Sequence, residues 1–218
     1  MFEVYKSVLQ DWNETRFNLT AVTDDRDIAL KHFIDSLEVY KVIDLKGKKL
    51  NVIDIGTGAG FPGIPIKIAF PHLKMTLVDS QRKRTLFLAV LLRRLAFDDV
   101  AVFNARGEEL AKDQDFRGKF DIVLMRELNK LSVNIEIGLP FLKQRGFLVL
   151  WKGKDDIKEV GNYEQFVNRL GGRIEKVKKY KLDSVRERYL VVIKKIHPTP
   201  AKYPRSFSSI MRSLRKGV

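Results

Sequence analysis

Cysteine is absent from all 218 residues, which removes disulfides, thiolate zinc sites and cysteine nucleophiles together. Histidine is nearly as scarce: His32, His72 and His197 lie far apart, so no metal is expected. No apolar run reaches the roughly 18 to 20 residues that cross a bilayer, and the opening MFEVYKSVLQDW lacks the apolar block of a secretory leader. A cytoplasmic protein with no membrane partner is expected, acting as a monomer. Acidic residues are outnumbered, 27 against 41 Lys plus Arg, for a net charge of +14. Such an excess attracts a polyanion and makes its binding salt-sensitive, so nucleic acid is the expected partner. An inert, solvated basic surface is the alternative, because net charge speaks to association rather than to fold.

What is present fits one α/β domain, since single cores stop growing only near ~250 residues. Tyr5, Val8, Leu9 and Trp12 recur at helical spacing, and a second helical pattern runs from Asp25 to Val42 with Ile28, Phe33, Ile34 and Leu37 apolar and Thr23 or Asp24 as its cap. Residues 1–45 therefore read as a helical extension. From Leu50 the pattern becomes short apolar runs, LNVIDI, MTLVD, VAVFN, KFDIVLM and FLVLW, with helices expected over 64–70, 81–96, 107–112 and 128–142. Strands alternating with helices imply a parallel sheet covered on both faces. A polar helix over 155–170 is followed by Gly171-Gly172 and strands over 173–181 and 188–195. The joining LDSVRE is too short for a crossover helix, so the last two strands must form an antiparallel hairpin. A seven-stranded, mainly parallel, Rossmann-like sheet ending in a hairpin is the layout of class I methyltransferases, here over 46–196. The remainder, 197–218, reads as a basic tail. From Lys194 onward seven residues are basic and none acidic, with Pro198, Pro200 and Pro204 stiffening the first half. A disordered solubilising end and an RNA-contacting arm are both open.

The run Asp54-Ile55-Gly56-Thr57-Gly58-Ala59-Gly60 follows a strand and leads into a helix, the setting of a nucleotide-binding glycine loop. Its G-x-G-x-G spacing, with no Lys-Ser/Thr after it, fits neither the dehydrogenase fingerprint nor a P-loop. Asp79 ends the second strand 23 residues beyond Gly56, where an acid can accept from ribose hydroxyls; a helix cap is the alternative. Asn104-Ala105-Arg106-Gly107-Glu108 lies at the same end of the sheet, placing Gly107 and Glu108 to face an adenine edge. The fourth strand delivers Arg126 and the fifth Lys152-Gly153. Ligands of open α/β sheets bind at these carboxyl ends, so all four loops converge on one crevice, and two cations there suit a carboxylate or phosphate.

Several methylations are disfavoured. Attack from pyrimidine C5 needs a cysteine nucleophile. Exocyclic adenine amines are served by an Asn/Asp-Pro-Pro-aromatic run, where this chain has Met125-Arg126-Glu127-Leu128. Ribose 2′-O-methylation uses a lysine and aspartate tetrad; Lys152 and Glu159 are suggestive, but Arg126 stands where an aspartate belongs, and this remains a weaker alternative. Guanine N7 carries an in-plane lone pair and no proton, so its methylation needs no general base, and positioning with desolvation supplies the rate. A non-catalytic RNA-binding or ribosome-assembly protein and a nicotinamide oxidoreductase are the competing classes, the second disfavoured by loop spacing and the terminal hairpin.

The residues are specific enough for a likeness. Asn18-Leu19-Thr20, His32-Phe33-Ile34-Asp35-Ser36-Leu37 and above all DIGTGAGFPGIPIKIAFP from Asp54 to Pro71 carry it. It continues through Leu77-Val78-Asp79-Ser80, Lys83-Arg84, Phe120-Asp121, Arg126, Lys152-Gly153, the strand from Arg188 to Lys194, and Thr199-Pro200 with Tyr203-Pro204-Arg205. In these the chain resembles the small-subunit rRNA methyltransferase G family, also called glucose-inhibited division protein B. That resemblance implies S-adenosylmethionine as methyl donor, S-adenosylhomocysteine as product, and N7 of a guanine in 16S rRNA of the small subunit as target. It puts Gly56, Phe61, Gly107, Glu108 and Arg126 at the donor, to which the glycine-loop and ribose arguments add Gly58 and Asp79. Arg126 and Lys152 become candidate positioning groups, with no residue assigned as general base. For RNA the expected contacts are His32, Arg106, Arg126, Lys152, Arg186, Arg188 and Arg205, although His32 also reads as an internally satisfied histidine. Two departures stand out: Glu127 where alanine is common, adding a carboxylate beside Arg126, and Tyr189 where histidine is frequent.

Overall fold

The computed structural model describes residues 1–16, 18–47, 49–126, 130–158, 160–183 and 186–215. Glu127 and Glu159 lie outside them. Seven strands, β1 (Asn51–Ile55), β2 (Lys74–Asp79), β3 (Val100–Asn104), β4 (Phe120–Arg126), β5 (Leu142–Lys152), β6 (Gly172–Lys181) and β7 (Glu187–Lys195), form one sheet in the order β3-β2-β1-β4-β5-β7-β6. The first five pair in parallel, while β7 runs antiparallel to both β5 and β6. The chain's direction of winding reverses between β1 and β4, and that junction opens a crevice at the strands' carboxyl ends.

Successive strand residues point to opposite faces, and the apolar residues divide accordingly. Val52, Ile122, Leu124, Val149, Trp151, Leu190 and Val192 join one buried cluster, and Ile53, Val123, Met125, Leu148, Leu150, Val191 and Ile193 the other. The first face is covered by α1 (Phe2–Thr15), α2 (Asp25–Ile28), α3 (Asp35–Leu37), α4 (Gly63–Ala69) and α5 (Arg82–Arg94); the second by α6 (Gly107–Leu110), α7 (Leu131–Gly138), α8 (Lys154–Ile157), α9 (Glu164–Arg169) and α10 (Phe207–Arg215). Buried Tyr5, Leu9 and Trp12 lie one turn apart on α1, and Trp12 meets Phe87 of α5 edge-on at 5.3 Å. The extension is thus a layer of the core rather than an appendage. Among the described residues no helix is long and apolar enough to cross a membrane.

Four elements differ from the sequence-based expectation. In place of the single helix expected over 155–170 stand α8, a 3-10 turn, Val160–Tyr163, and α9. The helix expected over 25–42 is interrupted by a π-helical turn, Ala29–Ile34, and ends in a 3-10 turn, Glu38–Lys41. The helix expected to reach residue 142 stops at Gly138, because Pro140 has no N–H to continue it, and Leu142 already belongs to β5. The segment expected as a free tail is folded onto the second face, with Thr199, Tyr203 and Ile210 buried.

Candidate functional site

The loops at the strand ends are laced together by main-chain bonds. Gly56 and Thr57 N–H both donate to the Val78 carbonyl, at 2.8 and 3.1 Å, joining the glycine loop to β2. Asp79, 2% exposed, completes the joint: Oδ2 accepts from Gly58 N–H at 2.9 Å and lies 3.2 Å from Arg84 Nη1, and Oδ1 accepts from Gln81 N–H at 2.8 Å. Its main-chain carbonyl accepts from Asn104 Nδ2 at 3.0 Å and Ala105 N–H at 3.2 Å, which draws in β3. Asp79 therefore joins the glycine loop to the turn before α5, whose N-cap is Gln81, and its carboxylate is already engaged by main-chain N–H groups of both. Gly58 adopts φ +61°, a conformation that disfavours L side chains, and a Cβ there would meet nothing within 4 Å. The backbone at Gly58 thus faces open space, with room for a ligand to approach it.

Beneath the loop, Asp54 is fully buried and accepts from Thr57 Oγ1 at 2.6 Å and Gly63 N–H at 2.9 Å, while burial pushes its carboxyl up to about 7. Gly107 has a packing reason for its identity, since a Cβ would come within 2.8 Å of Ile55 and 3.0 Å of Ile137. Glu108 is 6% exposed, with Arg106 Nη1 at 3.8 Å. Arg106, 55% exposed, lies over the Phe207 ring at 5.7 Å, so the lip of the crevice leans on α10.

The β4 side is built around Phe61. Its ring is 5% exposed, stacks on Tyr5 at 5.0 Å and on His32 at 4.5 Å, and has the Arg126 guanidinium over it at 5.2 Å. Phe61 was expected at the donor; its ring is enclosed by Tyr5, His32 and Arg126, and its N–H donates to the Thr57 carbonyl at 2.9 Å. Tyr5 donates its hydroxyl to the Ala59 carbonyl at 2.5 Å, locking α1 to the glycine loop. His32 lies in the π-helical turn with Nε2 2.9 Å from Thr20 Oγ1 and Nδ1 3.4 Å from Arg126 Nη2. Burial, then the Arg126 charge, lower its pKa to about 3. That is the internally satisfied histidine, with neither ring nitrogen turned to an outside ligand. Arg126 donates through Nη1 to the Lys31 carbonyl at 2.8 Å and to Asp35 Oδ2 at 3.1 Å.

The basic residues expected to meet RNA separate into groups. Arg186, 38% exposed, pairs with Asp183 at 2.9 Å and Asp27 at 3.5 Å, and Arg188 faces Tyr180 across the β6–β7 register. Lys152 is corrected from a surface contact: its side chain is 3% exposed, with Asp156 at 3.9 Å. Arg205 is 37% exposed, and its guanidinium grips buried Glu136 through Nε at 2.9 Å and Nη2 at 2.7 Å, so it fastens the chain from a position still open to solvent. Sequence reading missed Asp35 and Tyr180 as site residues. Asp35 stands inside the quoted His32–Leu37 motif, and Tyr180 is the lone aromatic in a lysine-rich strand, the one signal available for it. Two clefts, of about 350 and 300 Å³, open at the opposite end of the sheet beside Leu50 and Phe147 and beside Arg117 and Thr199; neither touches the crevice.

Comparison with known proteins settles the family. A model described as rRNA small subunit methyltransferase G matches residues 1–191. The chain belongs to that family. Among curated relatives, ribosomal RNA small subunit methyltransferase G of Acetivibrio thermocellus is 47% identical over 205 residues, 94% of this chain and 83% of the relative. The namesake from Thermoanaerobacter pseudethanolicus is 41% identical over 213 residues, 97% and 88% of the two chains. Solved structures extend the likeness of fold. The 16S rRNA (adenine(1408)-N(1))-methyltransferase from Catenulisporales acidiphilia with its cosubstrate SAM superimposes with TM-score 0.59 at 13% identity, covering 72% of this chain and 89% of that one. TYW2 of M. jannaschii in complex with AdoMet gives 0.56 at 16% identity, covering 74% and 77%. The sheet of this family member is thus the class I methyltransferase fold, with its N-terminal helices added.

Proposed function

We propose that this chain transfers the methyl group of S-adenosylmethionine to N7 of a guanine in 16S rRNA of the small ribosomal subunit. Family membership supports the reaction class, and the observation that carries the choice of atom is the state of the crevice's ionisable side chains. Asp79 is engaged by the glycine loop, Asp54 by Thr57 and Gly63, Asp35 by Arg126, and His32 by Thr20 and Arg126. Among the described residues these four side chains are held by the protein itself, an arrangement that supports positioning over proton removal and suits an acceptor already carrying its lone pair. When bound, the donor supplies a sulfonium methyl that N7 takes by direct displacement, releasing S-adenosylhomocysteine.

In this reading Gly56, Gly58 and the Phe61 main chain hold the donor's methionine portion, Asp79 its ribose, and Gly107 with Glu108 its adenine. Arg126 stands beside the reacting centre, with Lys152 behind it as a fixed positive charge. Arg106, Arg186 and Arg188 offer cations to the RNA backbone, where phosphate contacts fix register without reading sequence. The test is mass mapping of rRNA nucleosides after incubating small subunits or their RNA with protein and labelled donor. One 7-methylguanine per 16S molecule is the expected result. A ribose-methylated nucleoside would overturn the choice of atom, and no incorporation on any assembly state would favour a non-catalytic assembly role.

A further inference from the structure

One carboxylate connects the N-terminal helices to the crevice. Asp35, at the start of α3, is 2% exposed. Its Oδ2 accepts from Arg126 Nη1 at 3.1 Å, its Oδ1 accepts the Tyr180 hydroxyl, and its main-chain carbonyl accepts from Trp151 Nε1 at 2.8 Å. The ends of β4, β5 and β6 are thereby tied to a single residue of the first 45. Burial pushes the Asp35 carboxyl up, and Arg126, Tyr180 and Arg188 each pull it back.

The geometry makes clear what the connection governs. A guanidinium presents its donors in one rigid plane, so its direction decides what it can bind. β4 supplies only the Arg126 backbone. The plane of its side chain is set by the Lys31 carbonyl, by Asp35 and by His32 Nδ1, all from the helical run before β1. Removing that run's carboxylate would leave a cation only 8% exposed without its charged partner, held by the Lys31 carbonyl and His32 alone.

We propose that Asp35 is the positioning residue of this site, holding the Arg126 guanidinium in the direction in which it meets the methyl donor, with Tyr180 and Trp151 holding Asp35. The inference rests on the placement of Arg126 at the donor argued above. It makes the N-terminal helices part of the binding machinery. The side chain's chemistry is specific as well: two donors aim at two carboxylate oxygens, and an amide offers a single acceptor, so Asp35→Asn either releases Arg126 or turns Tyr180 into an acceptor from the amide, and in both cases removes the negative charge that faces the guanidinium.

The test is a double-mutant cycle in S-adenosylmethionine affinity, measured by calorimetry on the full chain carrying Asp35→Asn, Arg126→Lys or both. Each single change is expected to weaken binding about tenfold, and the double to bind no more weakly than Arg126→Lys alone. Losses that multiply, or Asp35→Asn binding as the wild type does, would overturn the proposal. Tyr180→Phe, which removes a hydroxyl and no charge, keeps the question answerable if Asp35→Asn does not fold. An about threefold loss that vanishes in the Arg126→Lys background supports the proposal, and the same loss in both backgrounds sinks it. Arg126→Lys with unaltered affinity would overturn the placement of Arg126 and this inference with it. A wild-type chain that binds donor yet methylates no RNA would instead defeat the proposed function, and the cycle would still judge Asp35.

Discussion

His32 keeps its proton off under ordinary conditions, because burial and the neighbouring Arg126 charge hold its pKa at about 3 against an ordinary 6.5. The folded value is the depressed one. Its contribution to stability is therefore fully present above about pH 6.5, where the unfolded chain's imidazole is also neutral, and is lost as pH falls toward 3. Nuclear magnetic resonance of the ring nitrogens should show His32 unchanged between about pH 7.5 and 5. A titration midpoint above 6 would mean that the ring is not lodged between Phe61 and Thr20. At this scale the sequence was only partly informative. It marked Gly58 and Asp79 through the glycine loop and its spacing, Arg126 as the end of the fourth strand, and His32 through the family likeness alone. It was silent on Asp35, whose partner Tyr180 lies 145 residues away and is united with it only by the fold.

Among the elements, the segment after β7 departs most from its composition. Its basic residues suggest a solvated tail, yet its start is pinned by Lys195, the last residue of β7 and 2% exposed, which donates to the Leu139 and Leu170 carbonyls and to Thr199 Oγ1. Arg117 donates to the carbonyls of Thr199 and Tyr203 at 2.9 and 2.8 Å, and Arg205 grips Glu136. A count of charges cannot reveal that their acceptors are carbonyls and one distant buried carboxylate. Arg205→Ala leaves Glu136, 1% exposed, without its charged partner and with the residue-205 main-chain N–H still donating to Oε1. Discounted for the partly exposed arginine, the loss should be ~2 kcal/mol in urea denaturation, with donor affinity preserved. An unchanged midpoint would make the clasp ornamental. The π-helical turn was equally hidden, because residues 25–42 carry a continuous helical pattern and the interruption arises where His32 and Asp35 turn inward to meet Phe61 and Arg126. The parallel pairing of the first five strands and the terminal hairpin were readable, since apolar runs and short connections leave few alternatives.

For the molecule as a whole, a charge of +14 implies that association with small-subunit RNA falls steeply with ionic strength. Affinity measured between about 50 and 200 mM salt should drop at least tenfold, giving a straight line on logarithmic axes. A flat response would return the basic surface to mere solubility. The same charge has a second use at the margin of the sheet. β6 is the outermost strand on its side, and Lys176, Lys178, Lys179 and Lys181 crowd one of the two open rims where a foreign strand might otherwise add on. Stripping those ammonium groups to probe RNA contact would also remove the guard against edge-to-edge stacking, so such variants should be checked for self-association before any lost affinity is credited to RNA.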